Sequence, residues 1–191
     1  RRFSVIFETP STRYDIGLAI QEPFNNEALG ISGDGRILVG RGYFGSITGP
    51  AVPIRMPATG GVDVLVIPDM HSRAQILATN YDGSASAGFA QRGDDNTDST
   101  AVRWTADGQV HEIPFPVVSP YSQATAISGD GNTIVGTADQ WDSTLAFMWT
   151  PQGGTVFLET PIGGHSQAMG LSPDGQFVTG QISFPGNGHM A

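Results

Sequence analysis

In the stretch Ala28-Leu29-Gly30-Ile31-Ser32, Ala28, Gly30 and Ser32 fall on one face of an extended chain and Leu29 and Ile31 on the other, the two-residue period of a strand. Gly33-Asp34-Gly35 and then Val39-Gly40 follow. The same order returns as Ala124-Thr125-Ala126-Ile127-Ser128-Gly129-Asp130-Gly131 with Val135-Gly136, and as Ala168-Met169-Gly170-Leu171-Ser172-Pro173-Asp174-Gly175 with Thr179-Gly180. A weaker copy, Thr79-Asn80-Tyr81-Asp82-Gly83 with Ala87-Gly88, lies between the first two. The aspartates at 34, 82, 130 and 174 are 48, 48 and 44 residues apart, and each Asp-Gly is followed five residues later by another glycine. A fixed period of this length marks one supersecondary unit repeated along the chain. Asp-Gly between extended stretches is a hairpin signal, because glycine accepts positive φ and aspartate bonds nearby amides. Asp34, Gly35, Asp82, Gly83, Asp130, Gly131, Asp174 and Gly175 are therefore assigned to the turns of the repeat.

A second block lies downstream of each turn, clearest as Ala146-Phe147-Met148-Trp149 and Ala101-Val102-Arg103-Trp104. In the first copy Ala51-Val52-Pro53-Ile54-Arg55 fills the slot without Trp. A glycine turn and a last apolar stretch, such as Val62-Asp63-Val64-Leu65-Val66, complete the unit. Four short strands per unit at this spacing describe a propeller blade, so the expected fold is all-β, a β-propeller of four-stranded antiparallel blades. Trp104 and Trp149, large aromatics at one fixed position, are expected to fill the space between neighbouring sheets. The phase of the repeat assigns residues 1–24 to the last two strands of a preceding blade, 25–70, 71–120 and 121–164 to whole blades, and 165–191 to the first two strands of a truncated one. The two strands at the start are expected at residues 3–7 and 14–18, one period before their counterparts. The expectation is a slice of a larger ring with flanking blades missing, rather than a closed ring of four.

Composition narrows the function classes. With 26 Gly and 13 Pro cutting the chain into short segments, a predominantly helical fold is excluded. Eighteen acidic residues face nine basic ones, all of them Arg, for a formal charge of -9, and nucleic acid is excluded as a partner because binding it relies on clustered basic side chains. The absence of Cys removes disulfides, zinc thiolate sites and thiol catalysis. No apolar run approaches the roughly 18 residues of a membrane helix, so this segment is not expected to insert into a bilayer.

Candidate chemistry is sparse. In Asp94-Asp95-Asn96-Thr97-Asp98-Ser99, oxygens at Asp94, Asn96 and Asp98 alternate as a calcium loop requires, but no glycine stands at the sixth position and Thr105 replaces the bidentate Glu at the twelfth, so a solvated acidic loop is the favoured reading and calcium the alternative. No other cofactor is expected. Gly30-Ile31-Ser32-Gly33 lacks the closing glycine of a nucleophile elbow and recurs, whereas a catalytic Ser is singular. Glu112 with Asp142 or Glu159 offers paired carboxylates for glycoside cleavage only if the fold brings them together. His71-Ser72 and His165-Ser166 stand at blade entries, with Tyr121 in the third copy, and read as structural hydrogen-bonding positions. Tyr43, Phe44 and Trp141 lie outside the repeating core positions and are the candidate ligand contacts, for a carbohydrate or a protein.

Taken together, Gly163-Gly164-His165-Ser166-Gln167-Ala168-Met169-Gly170-Leu171 and Ala146-Phe147-Met148-Trp149 resemble the opening and close of the bacterial extracellular repeat family named for its His-Ala-Phe signature, with similarity to autotransporter passenger repeats. Leu171-Ser172-Pro173-Asp174-Gly175 is also similar to the turn of TolB-type propellers. The chain departs from the first family in having Leu145, Thr100 and Pro50 where its His stands. The resemblance implies an extracellular, cell-surface or periplasmic location and no settled chemistry. The expected role is a non-enzymatic binding or surface-display module, with specificity in the loops at residues 41–50, 91–100 and 139–144. The alternatives are a carbohydrate-active hydrolase with its site at the propeller axis and a structural segment of an autotransporter passenger.

Overall fold

A computed structural model of the chain describes residues 5–8, 12–15, 24–46, 48–93, 98–158, 160 and 164–183, and every regular element among them is a β-strand. Strands β1 (Val5–Glu8) and β2 (Thr12–Asp15) form one hairpin, and β15 (His165–Leu171) and β16 (Val178–Ser183) another. Between them lie three four-stranded antiparallel meanders. The first is β3 (Phe24–Ile31), β4 (Ile37–Phe44), β5 (Val52–Pro57) and β6 (Asp63–Val64). The second is β7 (Arg73–Thr79), β8 (Ser86–Gln91), β9 (Ser99–Trp104) and β10 (Val110–Glu112). The third is β11 (Ser122–Ile127), β12 (Ile134–Gln140), β13 (Ser143–Thr150) and β14 (Gly154–Phe157). These are the expected blades of an all-β propeller. The pairing of β1 with β2 centres the first hairpin on Ile6 opposite Tyr14, so its second strand lies earlier than one period of 48 places it.

Each sheet's first strand packs against the second and third strands of the sheet before it: β7 on β4 and β5, β11 on β8 and β9, β15 on β12 and β13. The third strands alternate strictly and so serve two layers at once. Val102 and Trp104 join Val39, Leu65 and Ile76 between the first and second sheets, while Ala101 joins Ile127, Ile134 and Phe147 between the second and third. The Trp104 indole is 1% exposed and donates from Nε1 to the Val66 carbonyl of the preceding sheet at 2.8 Å. Trp149 packs at the edge of the next layer, and Met56, wholly buried, stands where the first copy lacks Trp. The cross-strand pairs Leu38 with Met56, Ser86 with Trp104 and Ile134 with Trp149 fix that equivalence.

Strict alternation does not hold in the first strands. Each carries a β-bulge at the same repeat position, between Ala28 and Gly30, Ile76 and Ala78, Ala124 and Ala126, and Ala168 and Gly170. The extra residue pairs Ala28 with Gly40 but Gly30 with the adjacent Val39, so Ala28 and Gly30, expected together on one face, lie on opposite faces. It also explains the recurring second glycine. A Cβ on Gly40, Gly88, Gly136 or Gly180 would lie 2.0, 2.1, 2.0 or 2.0 Å from the carbonyl oxygen of Glu27, Gln75, Gln123 or Gln167, on the bulged strand opposite.

The turns are built alike. Ser128 donates its hydroxyl to Asp130 Oδ1 at 2.5 Å and accepts the Thr133 amide at 2.9 Å, while Asp130 accepts the Asn132 amide at 3.0 Å and Gly131 takes φ +74°. Ser32 with Asp34 and Ser172 with Asp174 repeat these bonds. In the weak copy Asn80 does the work of Ser, accepting the Ala85 amide at 2.9 Å. Equivalent turns also join sheet to sheet: the Asp34 amide donates to Tyr81 O at 3.0 Å, the Tyr81 amide to Gly129 O at 3.1 Å and the Gly129 amide to Pro173 O at 2.8 Å.

Hydrogen bonds from Ser128, then from the Asn132 amide, hold Asp130 below its ordinary value of 3.8, and Ser32 and Ser172 do the same for Asp34 and Asp174. A carboxylate depressed in the folded state stabilises above the unfolded value and loses that contribution as pH falls through 3.8 toward the folded one. Thermal melts should therefore drop as pH is lowered through that window, and Asp130→Asn, which keeps the acceptor oxygen without the charge, should flatten the drop; an unchanged profile contradicts the turn assignment. Gly88→Ala is expected to cost about 1–3 kcal/mol by urea unfolding through overpacking. Gly35→Ala, whose Cβ would meet nothing within 4 Å, should cost only the roughly 1 kcal/mol of a left-handed backbone.

Candidate functional site

The bulge places one polar row at the start of each first strand. Glu27, Gln75, Gln123 and Gln167 are equivalent positions in β3, β7, β11 and β15, and Arg73, Tyr121 and His165 precede them by two residues on the same face. Because consecutive first strands are neighbours, the rows merge into a polar trough. Part of it is a pocket of about 500 Å³ lined by Arg41, Tyr43, Arg73, Gln75, Tyr121 and Gln123, with Phe89 and Gln91 also in the lining. A second pocket of about 210 Å³ continues it past Tyr121 and Gln123 to Gln167 and Met169.

Arg41 is the fixed point. Its Nε donates to Glu27 Oε2 at 2.9 Å, Nη2 lies 2.8 Å from the same oxygen, and Nη1 donates to Gln75 Oε1 of the next sheet at 2.8 Å. Its guanidinium lies 5.8 Å from the centroid of the Tyr43 ring. Burial, then the charge of Asp139, pushes the Tyr121 hydroxyl above its ordinary value, so it remains a neutral phenol able to donate and accept. Asp139 itself accepts the Thr144 hydroxyl at 2.9 Å. No carboxylate lines the larger pocket among the described residues.

Of the sequence candidates, Tyr43 lines the trough, while Phe44, next along the strand, is 63% exposed beside it. Trp141 is elsewhere: it caps the β12 to β13 hairpin, 87% exposed, and borders a separate pocket of about 400 Å³ with Asp142 and Leu145. Gln140 pairs with Ser143, leaving Trp141 and Asp142 as a two-residue loop in which Trp141 takes φ +55°, a conformation that folding assigns to Gly or Asn. Glu112 borders a third pocket with Arg92 and Phe115, so the carboxylates Glu112 and Asp142 line different pockets; Glu159 lies outside the described residues. Asp94 and Asn96 of the calcium candidate also lie outside them, and Asp98 sits 4.0 Å from Arg92 Nη1.

The two histidines are not equivalent. His165 Nδ1 accepts the Thr144 amide at 3.0 Å, and its counterparts by register are Tyr121 and Arg73; His71 lies two residues ahead of that phase, its side chain buried, with Nδ1 2.9 Å from Asp69 O. The serines shift with them. Ser122 and Ser166 accept the amides of Ala101 and Ala146 at 2.9 Å each, stitching sheet to sheet, and Ala74 rather than Ser72 occupies that position in the second sheet. The trough was present in the sequence as the Glu or Gln standing immediately before Ala28, Ile76, Ala124 and Ala168.

The fold is shared with solved propellers at low identity. TolB from Acinetobacter baumannii superposes with a TM-score of 0.58 at 20% identity, over 87% of this chain and 39% of that one. A putative TolB from Agrobacterium tumefaciens gives 0.60 at 15% identity, over 90% of this chain and 57% of that one. A prolyl endopeptidase gives 0.59 at 11%, over 84% and 26%. The chain thus spans well under two thirds of each of these proteins. No protein-family model and no curated protein matches it.

The two tryptophans should behave oppositely on substitution. Trp104→Ala is expected to lose about 3–5 kcal/mol of stability in urea unfolding, whereas Trp141→Gly, relieving positive φ at an exposed tip, should gain about 1 kcal/mol. Equal losses at both sites contradict these placements.

Proposed function

We propose that this chain is part of an exported β-propeller that works as a non-enzymatic binding module, taking its ligand in the trough between the first strands. The observation that supports this most is the lining: a fixed arginine, amides and phenols from three successive sheets converge on one pocket, and the loop after β4 adds Thr48 and Gly49 to its rim. A glycoside-cleaving reading needs two carboxylates flanking the scissile bond, and among the described residues no carboxylate lines this pocket. Tyr43 is the aromatic contact within the trough, and Trp141 a second contact on the hairpin tip, where its backbone strain has no packing reward. The resemblance of the chain's motifs to His-Ala-Phe repeats and autotransporter passengers is what supports export, to the cell surface or periplasm. Carbohydrate suits this pocket better than protein, because each amide and phenol both donates and accepts, as sugar hydroxyls do.

Ligand-observed NMR with a panel of mono- and disaccharides tests the site. Saturation transfer is expected with the native chain and should vanish in Gln75→Trp, which fills the pocket. Transfer that survives this blocking substitution contradicts the assignment.

A further inference from the structure

We propose that the outer edge of β16 is a docking site for strand β1 of a second copy of this chain, whose hairpin completes the two-stranded sheet β15–β16. The first ground is an open groove. In the layers between whole sheets, third-strand residues lie against the sheet before: Val102 and Trp104 between the first and second, Phe147 and Trp149 between the second and third. Beyond the third sheet the layer holds Val135, Ala146 and Ala168 with Leu158 beside them, and among the described residues nothing that follows β16 joins it. A groove of about 210 Å³ lies there, lined by Ala146, Leu158, Ala168, Val178, Gly180 and Ile182. Strand β16 is exposed along its whole length, whereas its counterpart β8 is buried throughout. By register Val178 and Ile182 stand where Ile134 and Ala138 of the third sheet are wholly buried.

The second ground is the register of β1. In the whole sheets Gly40, Gly88 and Gly136 face Ile54, Val102 and Phe147, and the residues two before these glycines face Met56, Trp104 and Trp149. Ile54, Val102 and Phe147 each pair on their other side with the residue ten positions on, and Trp104 and Trp149 with the residue six on. The first hairpin has the same offsets, Val5 with Asp15 and Phe7 with Arg13. Val5 therefore holds the position of Phe147, and Phe7 that of Trp149, so β1 and β2 are a third and a fourth strand. Against β16 they come opposite Gly180 and Val178, where an apolar and an aromatic residue are wanted. Among the described residues the outer edge of β16 and the far edge of β1 have no partner strand, and an unpaired edge offers its amides and carbonyls to another chain. Three whole sheets lie between the two hairpins along the chain and each hairpin stays a sheet of its own, so a second copy supplies the complement. The contact is head to tail, each copy giving one hairpin and receiving one. Strand β3 of the second copy then packs on the completed sheet as β7, β11 and β15 pack on theirs, and the polar row runs on from Gln167 to Glu27 of the second copy.

One strand edge and a small apolar face make a limited interface, so the association depends on concentration. Light scattering on a dilution series of the whole chain should show a mass that climbs above that of one chain as concentration rises. Ile182→Lys, on the receiving edge, and Phe7→Lys, on the donor strand, should each hold the mass at one chain; should the first lower the melting temperature, the second carries the test. The mass of one chain at every concentration overturns the proposal, as does association that survives both substitutions, which assigns it to another surface. The chain has no Cys, so Phe7→Cys combined with Val178→Cys reads the register directly. Oxidation should give disulfide-linked dimers and larger species on a non-reducing gel. A disulfide confined to single chains places the hairpin on its own β16 and contradicts docking between copies, and the absence of any disulfide contradicts the pairing.

Discussion

In each inner hairpin the second strand comes so close to the first that only a glycine fits. Gly40, Gly88, Gly136 and Gly180 each face a carbonyl oxygen about 2 Å from where a Cβ would be, and the bulge in the opposing strand is what brings that carbonyl inward. A bulge adds twist and bends the strand that carries it, so the same local event in every copy gives every hairpin the same curvature. Equivalent surfaces then face one another across successive sheets, and a contact made once is made at each junction.

The consequences run from the hairpins outward. The turn glycine of each later sheet rests where the second strand of the sheet before it opens, on Ile37 at the start of β4 or on the residue just ahead of β8 or β12: Gly83 on Ile37, Gly131 on Ala85, Gly175 on Thr133. Amides pass from turn to turn, and the serines of β11 and β15 take amides from β9 and β13. Between these polar seams lie the apolar layers around Trp104 and Phe147. The trough is the remaining product of the same geometry, because the residues before the bulge are the ones that the stacked first strands bring side by side.

How much of this was legible depended on whether a residue acts within its own unit. The Ser-x-Asp-Gly turns are closed by bonds spanning a few residues, so their identity survives in the sequence, and even Asn80 in the weak copy keeps the function of Ser. The third-strand slot also reads well, since a buried Trp is conspicuous, although Met56 in the first copy is not. The bulge left no mark on the strand that bears it; its sign was the glycine on the partner strand. His71 misled because two histidines before serines look alike, whereas register makes Arg73 the counterpart of His165. One row of the trough was legible as the Glu or Gln before the bulge, but the row beside it was hidden because its members differ in kind, Arg73, Tyr121 and His165, and acquire common meaning only when sheets stack.

Propagation from sheet to sheet through equivalent turns is the central claim, and native-state amide hydrogen exchange tests it most directly. The Asp34, Tyr81 and Gly129 amides sit in turns that, unstacked, would exchange with solvent freely; bonded to the next sheet, they should exchange as slowly as the amides of the central strands. Fast exchange at these three positions, with protection confined to the strands, would contradict the account.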